Sequence, residues 1–311
     1  MDSSVPADLQ KSVSESGYLE YKNCANLFGF INIYKPQGLT SHDVVAKLRR
    51  VTKIRQIGHT GTLDPFAEGV LPVCIGKATR LIEYLADGKE YLATVQFGSS
   101  TDTYDLEGKT VSKSDKKVTE SDILKLLPAF SGEIMQMPPI YSAIKVKGKK
   151  LYEYARKGEE VKIEPRKVVI EKIELKNFDY ENQRAEILIK CSKGTYIRSI
   201  AHDLGQMAGA GAHLIKLVRT RAGNFTIENS VFLDKLSDPS EVAANLINPI
   251  KMLDYPQIPV DEKEHEKIAN GAAIHNKNDI SSGQVVILIY NDIINAVGQT
   301  DGEKILIKKV F

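Results

Sequence analysis

Residues 57 to 76 run Ile-Gly-His-Thr-Gly-Thr-Leu-Asp-Pro-Phe-Ala-Glu-Gly-Val-Leu-Pro-Val-Cys-Ile-Gly, with four glycines and two prolines placed around Asp64. That punctuation prescribes a shaped polar loop, and Val70 to Ile75 then form a short apolar run that reads as strand or core. Gly58 and Gly61 permit backbone shapes that other residues resist. Pro65 fixes the chain just after Asp64 and biases Asp64 itself toward an extended conformation. Asp64 is therefore presented on a stiff loop, where a carboxylate can serve as nucleophile, base or positioned charge. Asp before Pro is also a common turn former. Its neighbours raise it above that: His59 and Thr60 lie just upstream, and Gly76-Lys-Ala-Thr-Arg80 follows the apolar run.

Composition excludes several alternatives. The 311 residues carry a net charge of +2, with 42% hydrophobic and 26% charged residues, which suits a globular chain of about two domains. Any basic surface must come from clustering, because the total is near neutral. Cys24, Cys74 and Cys191 show no metal-ligand spacing and read as small apolar fillers in a reducing compartment. No apolar run reaches the length of a membrane span, and the N-terminus has no apolar signal core, so the expected location is the cytoplasm.

Along the chain, residues 1–26 read as a weakly patterned lead-in, residues 27–250 as one catalytic domain and residues 251–311 as a small C-terminal domain. Phe28 to Tyr34 and Lys89 to Phe97 are strands, the second by clean alternation. Ser41 is the expected N-cap of a helix carrying Val44, Val45 and Leu48. The basic run Lys47, Arg49, Arg50, Lys53 and Arg55 fits either a solvated helix face or phosphate contact beside the Asp64 loop. Ala78 to Ala86 suit a helix. Asp102, Asp105 and Glu107 sit in a polar loop that lacks the distal Glu of a calcium loop, so no metal is expected. Thr119-Glu-Ser-Asp122 opens a capped helix. Val168 to Leu175 and Ala185 to Cys191 are further strands. Pro249 to Pro259 looks like a linker, and the short β runs beyond it, separated by Asn-Asp and Asp-Gly turns, form a small β module.

Lys193-Gly-Thr-Tyr-Ile-Arg-Ser-Ile-Ala-His-Asp-Leu-Gly205 is the second informative block. A strand stops at Gly194 and an amphipathic helix follows. Arg198 at the start of that helix opposes the helix dipole, so on these residues it is either an exposed arginine or one that meets a local anion, for which Asp64 is the candidate. Such a pair would favour the ionised carboxylate and lower its pKa.

Gly58-His-Thr-Gly-Thr-Leu-Asp-Pro65, Gly69-Val-Leu-Pro72 and Gly76-Lys-Ala-Thr79 together resemble the catalytic segment of the bacterial tRNA pseudouridine synthase B family, TruB. The resemblance implies an α+β fold with a mixed, largely antiparallel sheet and a small C-terminal β-rich, PUA-like RNA-binding domain. It implies that the T-loop uridine of tRNA is isomerised without metal or cofactor. It makes Asp64 the catalytic carboxylate and Arg198 its partner. Tyr91 becomes the platform for the flipped base, and Tyr196 a second ring able to help move the C5 proton. Leu217 packs under the base, and His59 enters the RNA loop where the base has left. Arg219 and Arg221 are phosphate candidates. The expected substrate is a T-arm hairpin, read by a monomer without guide RNA. A same-fold synthase acting on another RNA through a guide, and a tRNA-binding folding helper, are the alternatives.

Overall fold

In a computed structural model, residues 27–142, 144–146, 148–159 and 161–311 are described, and the lead-in expected over 1–26 lies outside the described residues. A ten-stranded sheet carries most of the chain. Its order is Val231–Phe232, Gly29–Lys35, Glu68–Ile75, Ala212–Ala222, Lys89–Phe97, Arg184–Cys191, Arg166–Asp179 and Gly132–Gln136. The short strands Ile57–His59 and Phe225–Thr226 pair beside this row. Only two of its pairings are parallel, Gly29–Lys35 with Val231–Phe232 and Ala212–Ala222 with Glu68–Ile75, so the sheet is mixed and largely antiparallel as expected.

The Lys89–Phe97 strand is central, and its period of two decides what faces the helices. Tyr91, Ala93, Val95 and Phe97 are buried, while the residues between them are half-buried. This face packs on Ile197–Ala208, whose Ile197, Ile200, Ala201 and Leu204 are buried. The opposite face contributes Phe30 and Phe225, in edge-on contact at 5.7 Å, to a second core shared with Ile287 and Val297 of the C-terminal sheet. That five-stranded sheet runs Gln257–Pro259, Val285–Tyr290, Ile293–Thr300, Lys304–Val310 and Ile274–His275. Asn291 and Asp292 both take positive φ, 50° and 59°, which is the hairpin turn their identities favour.

Three local expectations are corrected. Thr40, not Ser41, caps the Ser41–Thr52 helix, because Asp43 stands three residues after Thr40 and closes a capping box with it. Ser41 is instead buried. The segment expected to be a helix from Ala78 is a 3-10 helix over Gly76–Tyr84, a tighter coil that short apolar spacing fits equally well. The stretch read as a linker is structured at its end, since Gln257–Pro259 pairs in parallel with Val285–Tyr290.

Candidate active site

The loop bearing Asp64 cannot make ladder hydrogen bonds of its own, so its backbone groups need partners from elsewhere. They come from several elements. Ser41 Oγ accepts from the Leu63 N–H at 2.8 Å and donates to the Leu63 carbonyl at 3.2 Å. Lys35, fully buried, donates from Nζ to the carbonyls of Pro36, Leu39 and Pro65 at 2.9, 2.7 and 3.3 Å. Gly38 N donates to Pro65 O and Thr60 N to Pro72 O. Arg219 donates to the carbonyls of Val70, Thr62 and Gly61 at 2.6, 3.3 and 3.1 Å. Gly69 takes φ +104° where a Cβ would run into the Arg219 backbone, so glycine is required there.

Arg219 was expected to hold a phosphate. It is 0% exposed and its guanidinium is spent on the loop's carbonyls, so it is a staple of the loop and no phosphate reaches it. Arginine on a strand reads as solvated until the strand is known to be central. Arg221, two residues on, is exposed and donates from Nε to Gly223 O. Of the basic helix run, Lys47 and Arg49 are tied to the carbonyls of Leu233 and Ile57.

Asp64 meets Arg198 as expected. Nε lies 2.9 Å from Oδ2, an ion pair whose N–H is not aligned as a hydrogen bond. The Arg198 side chain is 6% exposed and that of Asp64 35%, so the carboxylate is the member of the pair that reaches solvent. Arg198 also lies 3.3 Å from Asp105 Oδ2 and donates to the carbonyls of Thr103 and Tyr141. One guanidinium therefore ties the Asp64 loop, the Asp105 turn and the Tyr141 segment together. Sequence reading missed Asp105, which was weighed only as a metal ligand. Among the described residues no group of acids, histidines and cysteines is placed to hold a metal. Gln136 fixes the approach to the helix, accepting from Tyr196 N at 2.8 Å and donating to Tyr196 O at 3.0 Å.

The expected pKa direction is corrected. Burial pushes the Asp64 carboxyl above its ordinary value, outweighing the Arg198 guanidinium, which pulls it down; the nearby Asp105 adds to the rise. Burial lowers Lys35 to about 8 against the attraction of Asp64. His59 is held below its ordinary value by burial and by Arg219, His42 and Lys89, so it is neutral at neutral pH.

Tyr91 is buried, and burial raises its pKa while Arg219 opposes the rise. Tyr91 pairs across the sheet with Arg219, and Ala93 with Leu217, so Tyr91 and Leu217 share the patch beside the loop. Tyr196 is half-buried within the field of both Asp64 and Arg198. His42 is exposed on its helix, and His202 stacks on Tyr104 with centroids 3.8 Å apart.

A carboxylate–arginine pair against a mixed sheet, with Tyr91 and Tyr196 in its field and Leu217 on the same sheet face as Tyr91, fits one class, the pseudouridine synthases. Solved structures with the same fold include an H/ACA ribonucleoprotein bound to a substrate RNA containing 2′-deoxyuridine, with a TM-score of 0.69 at 26% identity over 91% of this chain and 85% of that one. A Cbf5-Nop10-Gar1 complex matches with a TM-score of 0.68 at 28% identity, over 91% and 84%. The model of the TruB family pseudouridylate synthase N-terminal domain matches residues 49–197, and that of the tRNA pseudouridylate synthase B C-terminal domain matches residues 198–257. The chain is similar to proteins named tRNA pseudouridine synthase B from Caldanaerobacter subterraneus subsp. tengcongensis, 42% identical over 91% of this chain and 99% of the relative, and from Clostridium tetani, 41% over 91% and 99%. The Carboxydothermus hydrogenoformans protein of that name is 43% identical over 91% and 98%. The chain belongs to the TruB family of pseudouridylate synthases.

Proposed function

We propose that this chain isomerises the T-loop uridine of tRNA to pseudouridine, with Asp64 as the essential carboxylate. The observation that carries the reading is the Asp64–Arg198 pair, with the carboxylate as its more exposed member. The reaction breaks the N1–C1′ bond, turns the uracil and joins C5 to C1′; the C5 proton leaves and N1 ends protonated. Nothing is oxidised, so the chain's own groups suffice. Asp64 supplies the negative group at the sugar or the base, and Arg198 keeps it ionised and aimed. The target base must leave its stack at a cost of a few kcal/mol, which stacking on an aromatic offsets by roughly 1–3 kcal/mol. Tyr91 is that platform, Leu217 supports the base from below, and Tyr196 stands where the C5 proton must depart. Neutral His59 enters the RNA loop without adding charge.

A tRNA substrate taken without a guide RNA, in the cytoplasm, is favoured over the guided alternative. The relatives named tRNA pseudouridine synthase B match at 41–43% identity, against 26–28% for the H/ACA structures. Residues 251–311 serve as a weak RNA-binding module. It carries nine acids against seven lysines, and one of those lysines, Lys309, is already engaged by Glu83 and the Arg80 carbonyl, which supports a minor role. Incubating the chain alone with a T-arm hairpin labelled with tritium at uridine C5 should release tritium and leave pseudouridine at the loop position. No release defeats the proposal, and release only with an added guide RNA favours the alternative.

A further inference from the structure

Lys89 begins the central strand, two residues before Tyr91 and on the same face. Its Nζ lies 2.9 Å from the point where a Cβ on Gly61 would stand, with Arg219 Nη1 3.9 Å from that point, so the amine rests on the Asp64 loop. The nearby acids are engaged elsewhere. Asp87 pairs with Lys193 at 2.8 Å, and Glu90 with Lys190 at 3.2 Å and Thr220 at 2.8 Å. Among the described residues the Lys89 side chain makes no ion pair or hydrogen bond, and the groups around it are His59, Arg219, Lys193, Asp87 and the Cys191 thiol. An ammonium held half-buried in a largely cationic corner, with no acid of its own, is disfavoured unless an anion arrives.

We propose that Lys89 is the receptor for a phosphate of the RNA strand next to the base lying on Tyr91. The inference rests on the function proposed above and adds one contact to it. Strand geometry supports the placement. Residues two apart on one face stand about 6.8 Å from each other, so Tyr91 and Lys89 offer an aromatic face and a cation within one nucleotide's reach. Arg219 cannot take this role, since it is fully buried with its guanidinium turned to the loop carbonyls; Lys89 is the cation in this corner that remains available.

The test measures hairpin binding against salt in the Asp64→Asn background, which removes turnover, with and without Lys89→Met. One phosphate contact contributes a slope of about 0.7–0.9 in log affinity against log salt, equivalent to about four- to sixfold in affinity at 0.15 M salt. Lys89→Met should lose that slope and that affinity while keeping the melting midpoint, since methionine suits the buried stem. Lys89→Arg should retain both. Because the free amine titrates near about 8, the Lys89-dependent affinity should fade as pH rises past that value, and Lys89→Arg should abolish the fading. An unchanged salt slope in Lys89→Met overturns the assignment. Normal Lys89-dependent binding by an otherwise intact chain that releases no tritium overturns the function and leaves this contact standing.

Discussion

Replacing Arg198 with Met probes the site at its most connected atom group. The guanidinium is 5% exposed and reaches Asp64, Asp105, Thr103 and Tyr141 on three segments. Methionine keeps much of the length and none of the charge. It leaves Asp105, whose side chain is 4% exposed, beside an apolar neighbour. Breaking a buried pair from one side costs about 3–5 kcal/mol, because the surviving charge stays desolvated. At about 2–4 °C per kcal/mol, the melting midpoint at neutral pH should fall by roughly 6–20 °C. The loss also depends on pH. Arg198 is the main influence lowering Asp64 against burial, so without it the folded carboxyl rises further above its unfolded value. A carboxyl raised on folding costs stability above its folded pKa, and the cost disappears as pH falls below the unfolded value. The gap between wild type and Arg198→Met should therefore narrow as pH is lowered. Adding Asp105→Asn should recover part of the midpoint, since the stranded charge is then gone. Thermal melts at several pH values check this. A midpoint drop worth less than about 1 kcal/mol, or a gap that pH leaves unchanged, would refute the reasoning.

Four other outcomes are expected. Asp64→Asn should abolish tritium release, leave hairpin binding intact and hold or raise the melting midpoint, because burial disfavours the native charge; residual turnover would count against Asp64 as the essential group. The pH profile of kcat/KM should lose activity on its acid side around a value above the ordinary carboxylate pKa, and a limb at the ordinary value would contradict the raised Asp64 carboxyl. Ser41→Ala removes both hydrogen bonds to Leu63 and should cost about 1–3 kcal/mol in urea unfolding, with turnover reduced as the loop loosens; an unchanged midpoint would show that the loop is held without it. Gly69→Ala adds a side chain at φ +104°, worth about 1–3 kcal/mol in strain alone, and full activity in that variant would deny the close approach to Arg219.

What could be read from the residues was whatever local pattern carries. The alternation in Lys89 to Phe97 places Tyr91 inward with no further information. Arg198 at a helix start is a local anomaly, and its cause, an anion, was correctly sought in Asp64. The cap was misplaced because Thr40 and Ser41 are both capping hydroxyls; the spacing to Asp43 decides between them and was there to be counted. Asp105, Lys35 and Arg219 were out of reach for a different reason. Each is defined by what lies against it from distant parts of the chain. A lysine before Pro36 looks like a turn, and an arginine on a strand looks solvated. Only the sheet order, which sets Ala212–Ala222 between Glu68–Ile75 and Lys89–Phe97, turns Arg219 into a fully buried cation.

The same sheet order explains why the loop can hold an ionised acid at all. Gly61, Thr62, Pro65 and Val70 each present a carbonyl that the loop cannot satisfy internally, and each accepts from the buried cations Lys35 and Arg219. These donors fix the loop, and Lys35 also adds to the pull of Arg198 on Asp64. Burial nonetheless outweighs Arg198 and keeps the carboxyl above its ordinary value. An incoming RNA makes ionisation harder, since each phosphate brought near opposes the carboxylate. A cation with no acid of its own, such as Lys89, is what the site needs to admit a polyanion while Asp64 stays ionised.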